Sequence, residues 1–285
     1  MAAKKRKKKR RKIAVGPRTV AAVLVSLVAL AVVLTGRIGR HASPDRGDKV
    51  PPGSWDYGID LSHHNAGPIR WDSLYVLTDR QRHTVRNPFD AKEIRPVRFV
   101  CLKATEGTSL RDKDFDTRWK EAARNGVPRC AYHFFRSSKD GALQAEHFIR
   151  SVGSLRKNDL PPVLDIETLH RGCTKQQLNE RALQWLQAVE AHYGKTPVVY
   201  TGASFAKDHL GKEITERYPL WIAHYRKDRP AYKGWTLWQC TDRAVVKGVP
   251  GTVDLSVLPA GTTMVRGGKA PSSLGNPSSG TGAPR

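Results

Sequence analysis

The chain has 285 residues, of which 39% are hydrophobic, enough for one large domain with tails or for two modest domains. Its formal net charge is +23, but residues 1–18 alone hold ten Lys or Arg and no acid, so the total by itself assigns no nucleic-acid-binding domain. Zinc-type Cys/His spacings, a Gly-rich phosphate loop, a GxSxG elbow and an HExxH helix are all missing, which removes the usual metalloprotease, nucleotide and serine-hydrolase signals.

The basic leader, residues 1–18, runs into an apolar stretch from Val20 to Leu34 that only Ser26 interrupts. A positive n-region before an apolar core has the layout of an export segment. Leu34-Thr35-Gly36 is a poor cleavage site, so residues 19–36 are expected to remain as a membrane anchor. A cleaved signal is the alternative. The leader then stays cytoplasmic and the remainder faces outward. A nuclear-type or nucleic-acid-binding patch competes with this reading, but the adjoining apolar stretch disfavours it, and no nucleic-acid partner is expected.

Residues 37–53 carry Pro, Gly and charge without periodicity and read as a linker. The folded unit is expected over 54–265, followed by a disordered Gly/Ser/Pro-rich tail at 266–285. Strand signals fall at Tyr57–Leu61, Val97–Lys103, Arg129–Phe135, Pro162–Ile166, Pro197–Thr201, Leu220–His224, Trp235–Gln239 and Thr252–Leu255. Helical stretches lie at Phe115–Asn125, Ala142–Val152, Gln176–His192 and Ser204–Leu210, with stops at Gly126 and Gly194. Alternation of this kind predicts an α/β fold with a parallel sheet, and eight strands predict a closed barrel. The last three strands leave no room for full helices between them. An irregular TIM-like barrel follows.

Ionisable groups gather at the ends of these strands: Asp60, Lys103 with Glu106, His133, Asp165 with Glu167, and Asp254. Active sites of α/β barrels lie at the carboxyl ends of the strands, so these groups are expected around one mouth. Asp165-Ile166-Glu167 is the sharpest local feature. Residues i and i+2 of a strand share a face, which aims both carboxylates the same way. Crowding raises the pKa of at least one, and a protonated acid beside an ionised partner is what glycoside hydrolysis requires. The bland alternative is an acidic strand end that caps a helix or holds a surface ion pair. Tyr132, Phe134, Tyr200, Trp221, Tyr225 and Trp238 supply rings on which sugars stack, although any one of them taken alone reads as core.

Cys101 and Cys130 lie in apolar runs and read as small buried hydrophobes; Cys173 and Cys240 lie in polar surroundings and form the candidate disulfide pair of an exported domain. Adjacent His63 and His64 project to opposite sides of an extended chain, so no metal site is expected there.

Several stretches, in this order, resemble the glycoside hydrolase family 25 lysozymes, the Chalaropsis-type muramidases. They are GIDLSHHNAGPIRW at 58–71, FVCLKATEGTSLRD at 99–112, AYHFF at 131–135, PPVLDIE at 161–167, VVYTG at 198–202, LWIAHY at 220–225, LWQCTD at 237–242 and VDLSVL at 253–258. The resemblance implies a barrel of five β/α units and three further strands. It also implies cofactor-free hydrolysis of the β-1,4 bond between N-acetylmuramic acid and N-acetylglucosamine in peptidoglycan glycan strands. By the same resemblance Glu167 is the general acid and Asp165 its partner, steadying the 2-acetamido group in a substrate-assisted, retaining reaction. Asp60 and Asp254 complete the acidic set, and Tyr132, Tyr200, Trp221 and Trp238 line the groove. Lys103, Glu106 and His133 are further substrate-binding candidates, and a monomer is expected. Two departures stand out: an Arg- and His-rich segment at 75–96, and Cys173 directly after the catalytic strand. A glycan-binding module that kept the groove and lost turnover is the alternative, disfavoured because all four acids are present.

Overall fold

The computed structural model of the chain describes residues 44–262. The basic leader, the apolar run expected to be an anchor and the C-terminal tail lie outside the described residues. Among the described residues, no helix is long and apolar enough to cross a membrane.

Eight strands close into a barrel: β1 (Trp55–Leu61), β2 (Glu93–Glu106), β3 (Arg129–Phe134), β4 (Val163–Asp165), β5 (Val198–Gly202), β6 (Leu220–Ala223), β7 (Leu237–Ala244) and β8 (Val253–Pro259). Neighbours from β1 through β7 pair in parallel. The antiparallel β8 is wedged between β7 and β1 and closes the ring. Each of the eight expected strands is present, and the α/β barrel expected from their alternation is the observed fold.

Helices α1 (Phe115–Arg124), α2 (Gly141–Val152), α3 (Lys175–Tyr193), α4 (Ala203–His209) and α5 (Lys212–Thr215) follow β2 through β5. Local chemistry sets their ends. Asp140 accepts from the Leu143 amide to open α2. Thr174 and Gln177 form a reciprocal capping box at the start of α3, and left-handed Gly194 ends it. Buried Leu178, Ala182, Trp185, Leu186 and Val189 are spaced along one face of α3, which seats that face on the barrel.

Among the described residues, no α-helix covers β7, β8 or β1. Their outer faces are nonetheless apolar, with Ile59, Leu61, Trp238, Leu255 and Val257 all buried. A small antiparallel sheet takes the place of the helices. It is made from Arg46–Lys49, Tyr75–Thr78, His83–Val85, the first residues of β2, and Val246–Lys247. Val50, Leu74, Val76 and Val246 from this layer join the same hydrophobic cluster as the barrel's outer residues. The 75–96 segment is therefore a structural cover, and the chain is already folded at Arg46, inside the stretch expected to be linker.

The barrel interior holds Phe99, Cys101, Cys130, Val163, Val198, Tyr200, Trp221 and Leu237. Gly58 makes room for this filling, because a Cβ there would stand 2.0 Å from the Phe99 ring. Cys101 and Cys130 are direct register partners on β2 and β3 and form a disulfide, whereas Cys173 and Cys240 are free thiols. This corrects the expected pairing. Register placed two inward cysteines side by side, with Cα atoms 4.5 Å apart. Cys240 faces the outer layer on β7, and the Cys173 thiol donates to the Ser137 carbonyl. Arg129, also buried, holds Asp159 through two bonds of 2.7 and 3.0 Å and lies 3.7 Å over the Trp119 ring.

The bridged cysteines lie 29 positions apart in the chain. Replacing both with Ala is expected to cost about 3–4 kcal/mol, by the loop-entropy relation. The thermal midpoint should drop by roughly 10 °C in calorimetry. An unchanged midpoint would show that barrel packing alone sets the stability.

Candidate active site

The four expected carboxyls converge on one end of the barrel. Asp60 is near the end of β1, and Asp254 faces it as its register partner on β8. Asp254 was expected at the downstream end of its strand and is instead near its start. Because β8 runs antiparallel to its neighbours, its beginning is delivered to the mouth. Asp165 ends β4. The Ile166 amide still bonds to the Tyr200 carbonyl at 2.9 Å, so the chain stays extended and Glu167 returns to the face of Asp165. Ile166 turns outward and is buried in the layer between sheet and helices.

Depth separates the two carboxyls of the pair. Asp165 is 6% exposed, while Glu167 opens to solvent. Asp165 Oδ1 is buried and receives no hydrogen bond from the described residues. The two carboxyls interact closely enough for each to shift the other, so they titrate as a pair. Burial, then the charge of Glu167, lifts the Asp165 pKa well above the usual range. Burial lifts Glu167 as well, opposed by the Asp165 contact and the Lys103 charge. Across the mouth, burial and the Asp254 charge raise Asp60. Asp254 is pushed up to about 6 by burial first and by Asp242 and Glu167. The four cannot all ionise cheaply. Together they retain protons where isolated carboxyls would have lost them.

The surroundings are polar and aromatic. Lys103, 7% exposed, donates to Glu106 at 2.7 Å and lies 4.8 Å from the centre of the Phe134 ring. Burial would raise Glu106, but hydrogen bonds from Lys103 and Arg136 outweigh it and hold the carboxyl below its usual range. Half-buried Tyr132 faces the acids, and burial followed by the charges of Asp60, Asp165 and Asp254 raises its phenol. Gln239, which the sequence reading missed, bonds to Asp60, Tyr200 and Tyr225. Its signal was the alternation in Leu237-Trp238-Gln239, where Gln239 shares the inward face of Leu237.

That same alternation corrects two expectations. Trp238 turns outward, is fully buried, and donates its indole N–H to the His224 carbonyl. His133 also faces outward. It sits between Thr105 and Gln144 and stacks on Trp185, and burial lowers its pKa to about 3. Neither lines the mouth. Trp221 points inward but lies beneath it, 2% exposed and bonded to Ser256, so it supports the floor. Tyr200 packs edge-on to it, with ring centres 4.9 Å apart. A turn at Ser62–Asn65 brings the His63 and His64 rings to 4.0 Å, so they are neighbours and do not splay apart. Asp112 accepts from the His63 amide and lies 2.7 Å from its Nδ1.

Comparison with known proteins supports the barrel fold. Residues 59–249 match the family model described as "Glycosyl hydrolases family 25". YegX of Escherichia coli K12 is 40% identical over 213 residues, covering 74% of this chain and 72% of that protein. Lysozyme M1 of Streptomyces globisporus is 30% identical over 231 residues, covering 76% and 72%. The crystal structure of a lysozyme from Streptomyces coelicolor superposes with a TM-score of 0.60 at 29% identity, covering 73% of this chain and 92% of that one.

A carboxyl with a raised native pKa binds its proton more tightly folded than unfolded. Its contribution is therefore present at low pH and lost as pH rises through the native value, about 6 for Asp254. Asp254→Asn removes that loss. The variant should melt several degrees above the parent at pH 8, with the gap closing towards pH 4. Parallel melting curves at both pH values would contradict the crowding.

Proposed function

The chain belongs to the glycosyl hydrolases of family 25, and from that premise we propose that it hydrolyses the β-1,4 bond between N-acetylmuramic acid and N-acetylglucosamine in peptidoglycan. Lysozyme M1, a relative 30% identical, supports the substrate class. The observation that carries the chemistry is the Asp165–Glu167 pair, two carboxyls in contact with one buried and one open to the mouth.

Division of labour follows from depth. A leaving glycosidic oxygen in the groove meets Glu167, so Glu167 delivers the proton. Asp165 is too deep to reach that oxygen. Its unpartnered Oδ1 accepts an N–H from a substrate, and a 2-acetamido group carries one. Oriented by Asp165, the acetamido oxygen attacks the anomeric carbon as the aglycone departs, giving a retaining, substrate-assisted reaction. Asp254, ionised once the pH passes about 6, adds negative charge opposite the pair beside Asp60, which favours the positive character that develops on the sugar ring. Tyr132 and Phe134, both half-buried, offer the sugar faces to stack on. This chemistry draws on carboxylates alone and calls on no cofactor.

The site of action is outside the cytoplasm, with residues 19–36 as anchor or export segment. Support comes from the disulfide between Cys101 and Cys130, since such bridges persist in oxidising compartments, and from the order of basic leader and apolar run. One chain supplies all four carboxyls, which supports action as a monomer.

Glu167→Gln is expected to lower turnover on purified peptidoglycan by roughly 10²–10⁴-fold while retaining binding. Asp165→Asn should be impaired to a similar degree. Near-normal rates in either variant would remove that residue from the mechanism. The parent enzyme should release fragments with muramic acid at the new reducing end; glucosamine there would move the cleaved bond, and binding without release would identify a non-catalytic module.

A further inference from the structure

Gln239 is 2% exposed and spans two halves of the mouth. Its Oε1 accepts from the hydroxyls of Tyr200 and Tyr225, each at 2.7 Å, and its Nε2 donates to Asp60 Oδ2 at 2.9 Å. We propose that Gln239 is a positioning residue for the hydrolysis: two tyrosine hydroxyls lock its amide so that an N–H always faces Asp60 and holds that carboxylate in one orientation, as an acceptor, beside Asp254.

The hydrogen-bond inventory dictates the direction. A tyrosine hydroxyl has one proton to give, and each of these gives it to Oε1. Turning the amide over would bring Oε1 against the Asp60 oxygen, acceptor facing acceptor, and would force both tyrosine hydroxyls to rotate from donors to acceptors. The bond to Asp60 is lost outright, so the amide settles in one orientation, in which the tyrosines hold Oε1.

Many charged or titratable groups surround Asp60. Burial raises its pKa most, and Asp254 on β8 and Glu167 beyond β4 raise it further. Asp165 on β4, Tyr132 on β3, and Tyr200 and Tyr225 on the β5 and β6 side also feel its charge. Against these, the Gln239 N–H favours the ionised form. Its consequence is a biased proton distribution. A proton held by Asp60 is confined to Oδ1, because Oδ2 is occupied as acceptor of the Gln239 N–H, and the bond lessens the rise that burial and the neighbouring acids impose.

The inference rests on the lysozyme reading only for its kinetic part, so the primary readout is independent of any substrate. Carboxyl-¹³C NMR titration follows Asp60 in the parent, in Gln239→Leu, and in the double variant Tyr200→Phe with Tyr225→Phe. Asp60 is expected to titrate about one pH unit higher in Gln239→Leu, with a smaller upward shift in the tyrosine variant, where the amide is present but unlocked. On soluble glycan strands, kcat should fall about 10–100-fold with KM within about threefold, and the acidic limb of the pH profile should move upward. The tyrosine variant keeps the glutamine and serves as the test if Gln239→Leu fails to fold. Asp60 titrating at the parent pH in a folded variant overturns the proposal, even where kcat drops, because the loss then belongs to packing. A shifted Asp60 in a protein that cleaves no glycan sustains the positioning role and rejects the substrate.

Discussion

The cost of gathering several carboxyls into one poorly hydrated hollow governs this protein. Asp60, Asp165, Glu167 and Asp254 come from distant parts of the chain, and only a closed ring of strands brings their ends together. Ordinary carboxyls at neutral pH would be ionised and would repel one another. Burial and mutual repulsion instead make this group hold protons, at a cost to stability that the rest of the barrel has to offset. A proton kept under strain is a proton available to a leaving group.

The remainder of the fold resists that strain. Below the acids, the interior is filled by Phe99 in the space left by Gly58, by the Cys101–Cys130 bridge, and by Trp221 against Tyr200. Around the outside, helices shield β2 to β5, and the small antiparallel sheet shields the strands that lack them. The long β2 belongs to both sheets, pairing with Tyr75–Thr78 at its start and with β1 and β3 further on. Cover and mouth are thus joined by one continuous strand. Rigid walls matter because polar groups such as Gln239 and Lys103 act only while their geometry is held.

Much of this was legible beforehand. All eight barrel strands and four of the helices stand where periodicity and Gly stops put them, because two-residue and 3.6-residue patterns are local consequences of which face is buried. The Asp165-Ile166-Glu167 spacing foretold a same-face pair for the same reason. The errors have a common source. Trp238, His133 and the cysteines were read by residue type, whereas their roles depend on strand parity and register across neighbours. A tryptophan suits a sugar groove and an outer core equally well, and Trp238 lies one residue from the inward-facing Gln239. Cys101 and Cys130 look like ordinary small hydrophobes until β2 and β3 pair in register.

By itself the sequence determined the kind of fold, the order of its elements, the family resemblance and the identity of the acids, since these follow from local pattern and residue chemistry. Tertiary structure alone decided which cysteines join, which aromatics face the mouth, why residues 75–96 are there, and that Gln239 grips Asp60. Those are relations between residues far apart in the chain, set by the shear of a closing barrel, and no window along the chain contains them.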